Sequence, residues 1–320
     1  MIYRRLGTSG IEASAIGLGT WAIGGWLWGG SDQTEAVRSI EASIDEGVNL
    51  IDTAPAYGLG LSEQIVGKAI SGKRDEVVVA TKCGLVWHTK QGTHFVDQDD
   101  KPVHRYLGAA SIRYEVEESL RRLGTDYIDL YQTHWQDSTT PISETMGTLL
   151  DLKREGKILA IGVSNAGIAD IDEYRRVGPV DNDQEKYSML DREPEQSRLP
   201  YLSRNGIAFL AYSPLAFGLL TGQITADRQF PASDMRSTHP RFTSENRSRV
   251  NRMLERMEPV AKAHQATITQ VVLAWTMSQP GVTHVLAGAR NAAHARANAA
   301  AGNIQLDADE LELIAAILRG

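Results

Sequence analysis

The run Tyr127-Ile128-Asp129-Leu130-Tyr131-Gln132-Thr133 is mostly apolar on consecutive residues and ends in His134. A helical stretch opens at Pro141 and stops near Gly156, and a second apolar run begins at Ile158 and ends in Ser164-Asn165. Consecutive apolar residues, as opposed to alternating ones, mark a strand buried on both faces, as in a parallel sheet. Proline at a helix start and glycine past its end are the expected punctuation.

The same unit recurs in both directions. Short strands are expected at 15–18, 49–53, 77–81, 127–133, 158–164, 181–185, 208–212 and 283–287. Helices are expected between them, over 34–47 with Gly47 as stop, and over 111–123 with Ser111 as N-cap and Gly124 past the end. Asp307 followed by Glu310 reads as a capping box for a last helix. Strand–helix units repeated over the whole chain predict an α/β fold, a closed (β/α)8 TIM barrel, with a doubly wound open sheet as the competitor. Residues 1–320 read as one domain. The connections at 84–110 and 213–247 are long, and loops of that length are usually functional.

Composition narrows the function. The 320 residues carry a formal net charge of −7, with 42% hydrophobic and 23% charged residues, which is an ordinary globular balance. The acidity argues against a nucleic-acid partner. One cysteine, Cys83, excludes a disulfide framework and suits a reducing compartment. No secretory signal or membrane span is evident, so the expected location is cytoplasmic.

Polar residues fall at strand C-termini in unit after unit: Asp52, Lys82, His134, Ser164-Asn165, Gln184 and Ser213. In a parallel barrel those ends share one face, where active sites are built. Asp52, Tyr57, Lys82 and His134 form a constellation suited to carbonyl reduction, which needs a hydride at carbon and a proton at oxygen. Tyr57 can donate the proton, and a Lys82 ammonium held by Asp52 would lower its pKa. His134 would hydrogen-bond the substrate oxygen. Gly17-Leu18-Gly19-Thr20-Trp21-Ala22 matches a loose dinucleotide fingerprint, but no helix follows to receive a pyrophosphate. No metal site is expected.

Gly17-Leu18-Gly19-Thr20-Trp21, Asn49-Leu50-Ile51-Asp52-Thr53-Ala54 with Tyr57-Gly58, Thr81-Lys82-Cys83-Gly84 and Asp129-Leu130-Tyr131-Gln132-Thr133-His134-Trp135 occur in order. Gly162-Val163-Ser164-Asn165, Gln184, Ala211-Tyr212-Ser213-Pro214-Leu215 and Gly218-Leu219-Leu220 follow. With these motifs the chain resembles the aldo-keto reductase superfamily, in its bacterial branch of methylglyoxal reductases, related to potassium-channel β subunits. The resemblance implies a nicotinamide dinucleotide bound without a Rossmann fold, with Tyr57 as general acid. It implies Ser164, Asn165 and Gln184 at the carboxamide and Tyr212 stacked on the nicotinamide. Ser213, Leu215, Gly218 and Leu220 would follow the pyrophosphate, and Gly19, Thr20, Trp21 and Asp52 would also meet the cofactor.

Gly288, Arg290, His294 and Asn298 stand at the adenosine end of that pattern. Arg290 suits a ribose 2′-phosphate, so NADP(H) is preferred, with NAD(H) the alternative. The expected function is reduction of a small-molecule aldehyde or ketone, or the reverse, with Trp21, Tyr57, Trp87, His134 and Trp135 lining the substrate mouth. A cofactor-loaded redox sensor without turnover is the rival, and a Schiff-base aldolase using Lys82 a more distant one. The oligomeric state is not legible.

Overall fold

A computed structural model describes residues 1–319. Eight parallel strands close on themselves: β1 (Ile16–Gly19), β2 (Leu50–Asp52), β3 (Val78–Cys83), β4 (Ile128–Thr133), β5 (Ile158–Ser164), β6 (Asn182–Lys186), β7 (Ala208–Tyr212) and β8 (His284–Gly288). Every expected strand is present. The ladder between β8 and β1, running from Val285 opposite Ile16 to Gly288 opposite Gly19, shuts the barrel and excludes the open sheet.

The helices α1 (Gln33–Asp45), α2 (Leu61–Ala69), α3 (Ala109–Leu123), α4 (Ile142–Arg154), α5 (Ile168–Val177) and α6 (Arg198–Arg204) follow the first six strands. After β7 come α7 (Ser244–Glu255), α8 (Glu258–Ala263) and α9 (Ile268–Ser278); α10 (Ala292–Ala300) and α11 (Ala308–Arg319) follow β8. Asp32 caps α1 by accepting from the Thr34 and Glu35 amides, and the expected pairing of Asp307 with Glu310 closes reciprocally before α11. Ser111 is not the cap of α3: the helix starts at Ala109 behind Gly108, and the Ser111 hydroxyl instead meets Glu115 and His88. Pro141 stands one residue ahead of α4, in extended conformation, not within its first turn. Among the described residues no helix is long and apolar enough to cross a membrane.

Side chains two apart on a strand share a face. Inside the barrel, Leu50, Val78, Ala80, Leu130, Ala160, Ala208, Leu210 and Leu286 form an apolar floor. Leu6 and Ala13 join that floor from an antiparallel hairpin, Tyr3–Arg5 with Glu12–Ser14, which plugs the N-terminal end. The outward faces of the strands pack on the helices in a separate and larger core.

The connection at 84–110 is not a plain loop. Leu85–Val86, Thr93–Gln98 and Lys101–Arg105 form a small antiparallel sheet over the C-terminal face. Asp99 and Asp100 turn its hairpin with φ of 49° and 60°, as a two-residue turn of mirror-image type requires.

Candidate active site

The inward-facing positions change character with height. Two residues above Leu50 stands Asp52; two above Ala80, Lys82; two above Leu130, Gln132; two above Leu210, Tyr212. The period of a strand thus lifts a ring of polar groups above an apolar floor. Ala54 to Gly60, following β2, turn Tyr57 over that ring, with Gly58 and Gly60 at φ of 69° and 98°.

The four expected groups converge. Lys82 Nζ donates to Asp52 Oδ1 and Oδ2 at 2.7 and 2.9 Å, and to the Thr53 carbonyl at 2.9 Å. It reaches the Tyr57 hydroxyl oxygen at 3.3 Å. Because that oxygen accepts from the ammonium, the phenolic hydrogen is left to point elsewhere, and among the described residues it has no protein acceptor. The His134 and Tyr57 rings stand 5.7 Å apart, edge to face. Asp52, Lys82 and His134 are all buried.

The electrostatics differ from the sequence expectation in one respect. Burial, reinforced by the Asp52 charge, pushes the Tyr57 phenol well above its ordinary pKa, so Lys82 does not win. Lys82 itself is pulled down by burial against the upward pull of Asp52. Burial, with Lys82 beside it, holds His134 far below the usual imidazole value and therefore neutral. At neutral pH the cup holds a protonated phenol, which is the donor form.

Around Asp52 lies a buried amide network, of which the sequence pointed to Gln184 but not to Gln132 or Asn182. Gln184 donates to Asp52 Oδ2 at 2.8 Å, and Gln132 approaches the same oxygen at 3.4 Å. Asn182 donates to Gln132 Oε1 at 2.8 Å, while its own Oδ1 has no partner. Gly162 makes room for that amide, since a Cβ there would lie 1.7 Å from Asn182 Oδ1. The signal available in the sequence was the inward parity of Gln132 and Asn182 with the floor residues.

A second wall carries the residues expected at a nicotinamide. Ser164 donates to the Gln184 carbonyl at 2.9 Å, and Asn165 to the His134 carbonyl at 2.9 Å. The Tyr212 hydroxyl donates to Asn165 Oδ1 at 2.9 Å. Asn165, Ser213, Ala216 and Phe217 all adopt positive φ, of 52°, 55°, 46° and 59°, and Gly218 follows at 89°. Such clustered left-handed residues are backbone strain of the kind found at ligand sites. Leu215 is partly buried; Leu220, expected along a pyrophosphate, is fully buried, with its amide bonded to the Leu215 carbonyl at 3.1 Å.

Farther out, Arg290 donates to the Trp28 carbonyl at 3.2 Å, and Asn298 to the Gly288 carbonyl at 3.1 Å. His294 is exposed, and its amide is capped by Asn291. Leu27 and Trp28, after β1, are stitched to Asp234 and Met235, after β7, by a bridge and a 2.9 Å amide bond. Arg236 bonds Asp234 and lies over the Trp28 and Phe230 rings at 5.1 and 4.5 Å.

Trp21 stands with its ring 6.4 Å from Tyr57, 5.5 Å from Trp28 and 6.0 Å from Phe217. Trp28 and Phe217 were not foreseen. Gly19 ends β1, and Thr20 beyond it has both its amide and its hydroxyl bonded to the Asp52 carbonyl, so it braces Asp52 from behind. Trp135 and Trp87 join an apolar cluster around Ala56, next to Tyr57. Trp87 is not among the rings that meet Tyr57 or His134; it lines a cavity of about 190 Å³ bordered by Pro55, Leu59 and α3. Among the described residues no group of His, Cys, Asp and Glu could hold a metal.

This barrel and cup define the aldo-keto reductases. The description "Aldo/keto reductase family" matches residues 15–319, and the chain belongs to that family. It is 46% identical over 311 residues to the NADH-specific methylglyoxal reductase of Escherichia coli (strain K12), covering 95% of this chain and 94% of the relative. To the aldo-keto reductase YhdN of Bacillus subtilis (strain 168) it is 44% identical over 293 residues, covering 91% and 85%. Among solved structures, the glycerol dehydrogenase AKR11B4 from Gluconobacter oxydans superposes with a TM-score of 0.88 at 39% identity, over 99% of this chain and 94% of that one. An aldo-keto reductase from Klebsiella pneumoniae in complex with NADPH superposes at 0.74 with 29% identity, over 99% and 96%.

Proposed function

We propose that the chain reduces small aldehydes or ketones with a nicotinamide dinucleotide, NADP(H) in preference to NAD(H), and runs the reverse oxidation when the alcohol is in excess. The observation that carries the reading is the Tyr57 hydroxyl. It is bound on its oxygen by Lys82, it keeps its proton at neutral pH, and it faces His134 across the cup.

Ser164, Asn165 and Gln184 fit a carboxamide, and the half-exposed Tyr212 ring fits the face of a pyridine. Bound there, the reduced nicotinamide supplies the hydride. Tyr57 hands its proton to the oxygen as charge develops, and neutral His134 donates a hydrogen bond to the same oxygen. Lys82 stabilises the phenolate left behind, and Asp52 keeps Lys82 charged and aimed. Thr20 and Gln184 fix Asp52.

Arg290 lies near Arg228 and Arg236, and only Arg236 is neutralised, by Asp234. That surplus of positive charge favours a 2′-phosphate. The name of the Escherichia coli relative is the reason to test both cofactors.

The test is a fluorescence titration with NADPH and NADH, followed by turnover on an aldehyde panel. Tyr57→Phe is expected to abolish nearly all turnover while cofactor affinity stays within about twofold. A variant that still turns over would remove Tyr57 from the chemistry. A wild-type chain that binds cofactor and reduces none of the panel would end the reductase reading.

A further inference from the structure

The small sheet over the barrel mouth ends at Arg105. Arg247, buried and outside any ion pair among the described residues, gives its guanidinium to the Thr225 and Arg228 carbonyls, and Arg105 has no such acceptors there. Arg122 is paired with Glu63, Arg198 with Asp183, Arg236 with Asp234 and Arg241 with Asp191. Among the described residues Arg105 joins no ion pair, and its Nε is buried without a hydrogen-bond partner. Its guanidinium carbon lies 4.6 Å from the centre of the Phe95 ring and 4.7 Å from that of Trp135.

Those rings are 5.5 Å apart and tilted by 40°, and both lie within cation–π range of the guanidinium. Contact with aromatic rings consumes none of the guanidinium's N–H donors, which stay able to fork around an anion. The ring pair borders the reaction centre: Trp135 follows His134, and Ala56, which precedes Tyr57, packs in the same apolar cluster as Phe95 and Trp135. Nothing in the proton-donor machinery uses this charge.

We infer that Arg105 selects carbonyl substrates carrying a carboxylate, which its fork would bind while the carbonyl lies between Tyr57 and His134. The inference rests on the reductase reading of this cup. A planar carboxylate matches the fork in a bidentate pair, and the aromatic walls around it keep water from screening the pair.

The experiment compares kcat/KM for ω-oxo acids of two to six carbons with that for neutral aldehydes of the same length, in wild type, Arg105→Met and Arg105→Lys. In wild type at least one chain length is expected to favour the acid. Arg105→Met should lower kcat/KM for that acid by about tenfold to a hundredfold, mostly through KM, and leave the neutral partner within about twofold. Arg105→Lys should recover part of the loss, because it keeps the charge and gives up the fork.

Retained turnover of the neutral aldehydes shows that the variants are folded and that the reductase reading stands. An equal fall on acid and neutral substrates would make Arg105 a prop for Trp135 and overturn the inference. So would a wild-type enzyme with no preference for the acid, or a response to Arg105→Met confined to glyceraldehyde 3-phosphate against glyceraldehyde. Failure of wild type on every aldehyde would mark the failure of the reductase reading itself.

Discussion

At the scale of single residues, the cup is a problem of proton accounting. The Tyr57 phenol is raised by burial and by Asp52, so its acid form is populated through neutrality and lost only above the ordinary tyrosine range. Carbonyl reduction needs that form. The rate is therefore expected to stay flat from about pH 7 to 9, while alcohol oxidation, which needs the phenolate, rises over the same range. A reductive profile that falls with a midpoint near pH 7 would mean that Lys82 outweighs burial after all.

Lys82 carries a second expectation. Removing it as Lys82→Met leaves the Asp52 charge buried without its cation, at a cost of about 3–5 kcal/mol in a urea titration. The double change Asp52→Asn with Lys82→Met should regain part of that loss.

That Asp52, Tyr57, Lys82 and His134 converge was legible because each stands just beyond an apolar run or in the turn after it. The amides of Gln132 and Asn182 were not, because both lie within strands and announce themselves only once the inward face is known. Burial likewise reverses a pKa reading that rested on Lys82 alone.

At the scale of elements, strands and helices respond to different defects. On β5, Gly162→Ala would drive a methyl into the Asn182 amide, and thermal melting should show a loss of about 1–3 kcal/mol. On α3, Glu115 is buried, accepts from the Gly84 amide and the Ser111 hydroxyl, and has its pKa pushed up by burial to about 8. An unfolded glutamate titrates near about 4.3, so between those values the folded state binds the extra proton and stability falls as pH rises, by at most about 1.4 kcal/mol per pH unit. Glu115→Gln should flatten that decline, so that the variant matches wild type at pH 5 and exceeds it at pH 8 in denaturant melts.

Most barrel strands were readable because both faces are buried and most of their residues are apolar; β6, Asn182–Lys186, is the exception, polar at every position. The hairpin at Tyr3–Arg5 and Glu12–Ser14 and the sheet at Leu85–Arg105 were not readable. They are short, rich in polar residues and stabilised by what they cover. Ser111 misled for a related reason, since a serine in the first turn of a helix resembles a cap until its partners are known.

At the scale of the whole molecule, the segment after β1 and the long connection after β7 are tied to each other. The strip Leu27–Trp28 and the strip Asp234–Met235 are joined across the cofactor side, with Arg236 holding Asp234 and resting on Trp28. Asp234→Ala should loosen that join, so that NADPH leaves about tenfold faster in a stopped-flow displacement while the reductive step is unchanged. An unchanged release rate would show that the two strips do not control exit.

The ladder between residues 16–19 and 285–288 has a consequence for biosynthesis. During synthesis the first barrel strand is made some 270 residues before its last neighbour. Until then one edge of the growing sheet stays open to wrong partners, and no fragment short of residue 288 can shape the pocket. Folding that must wait so long on a distant contact is slow and prone to stray pairing. Yield in the cell should therefore depend on how well that unpaired edge is sheltered during synthesis.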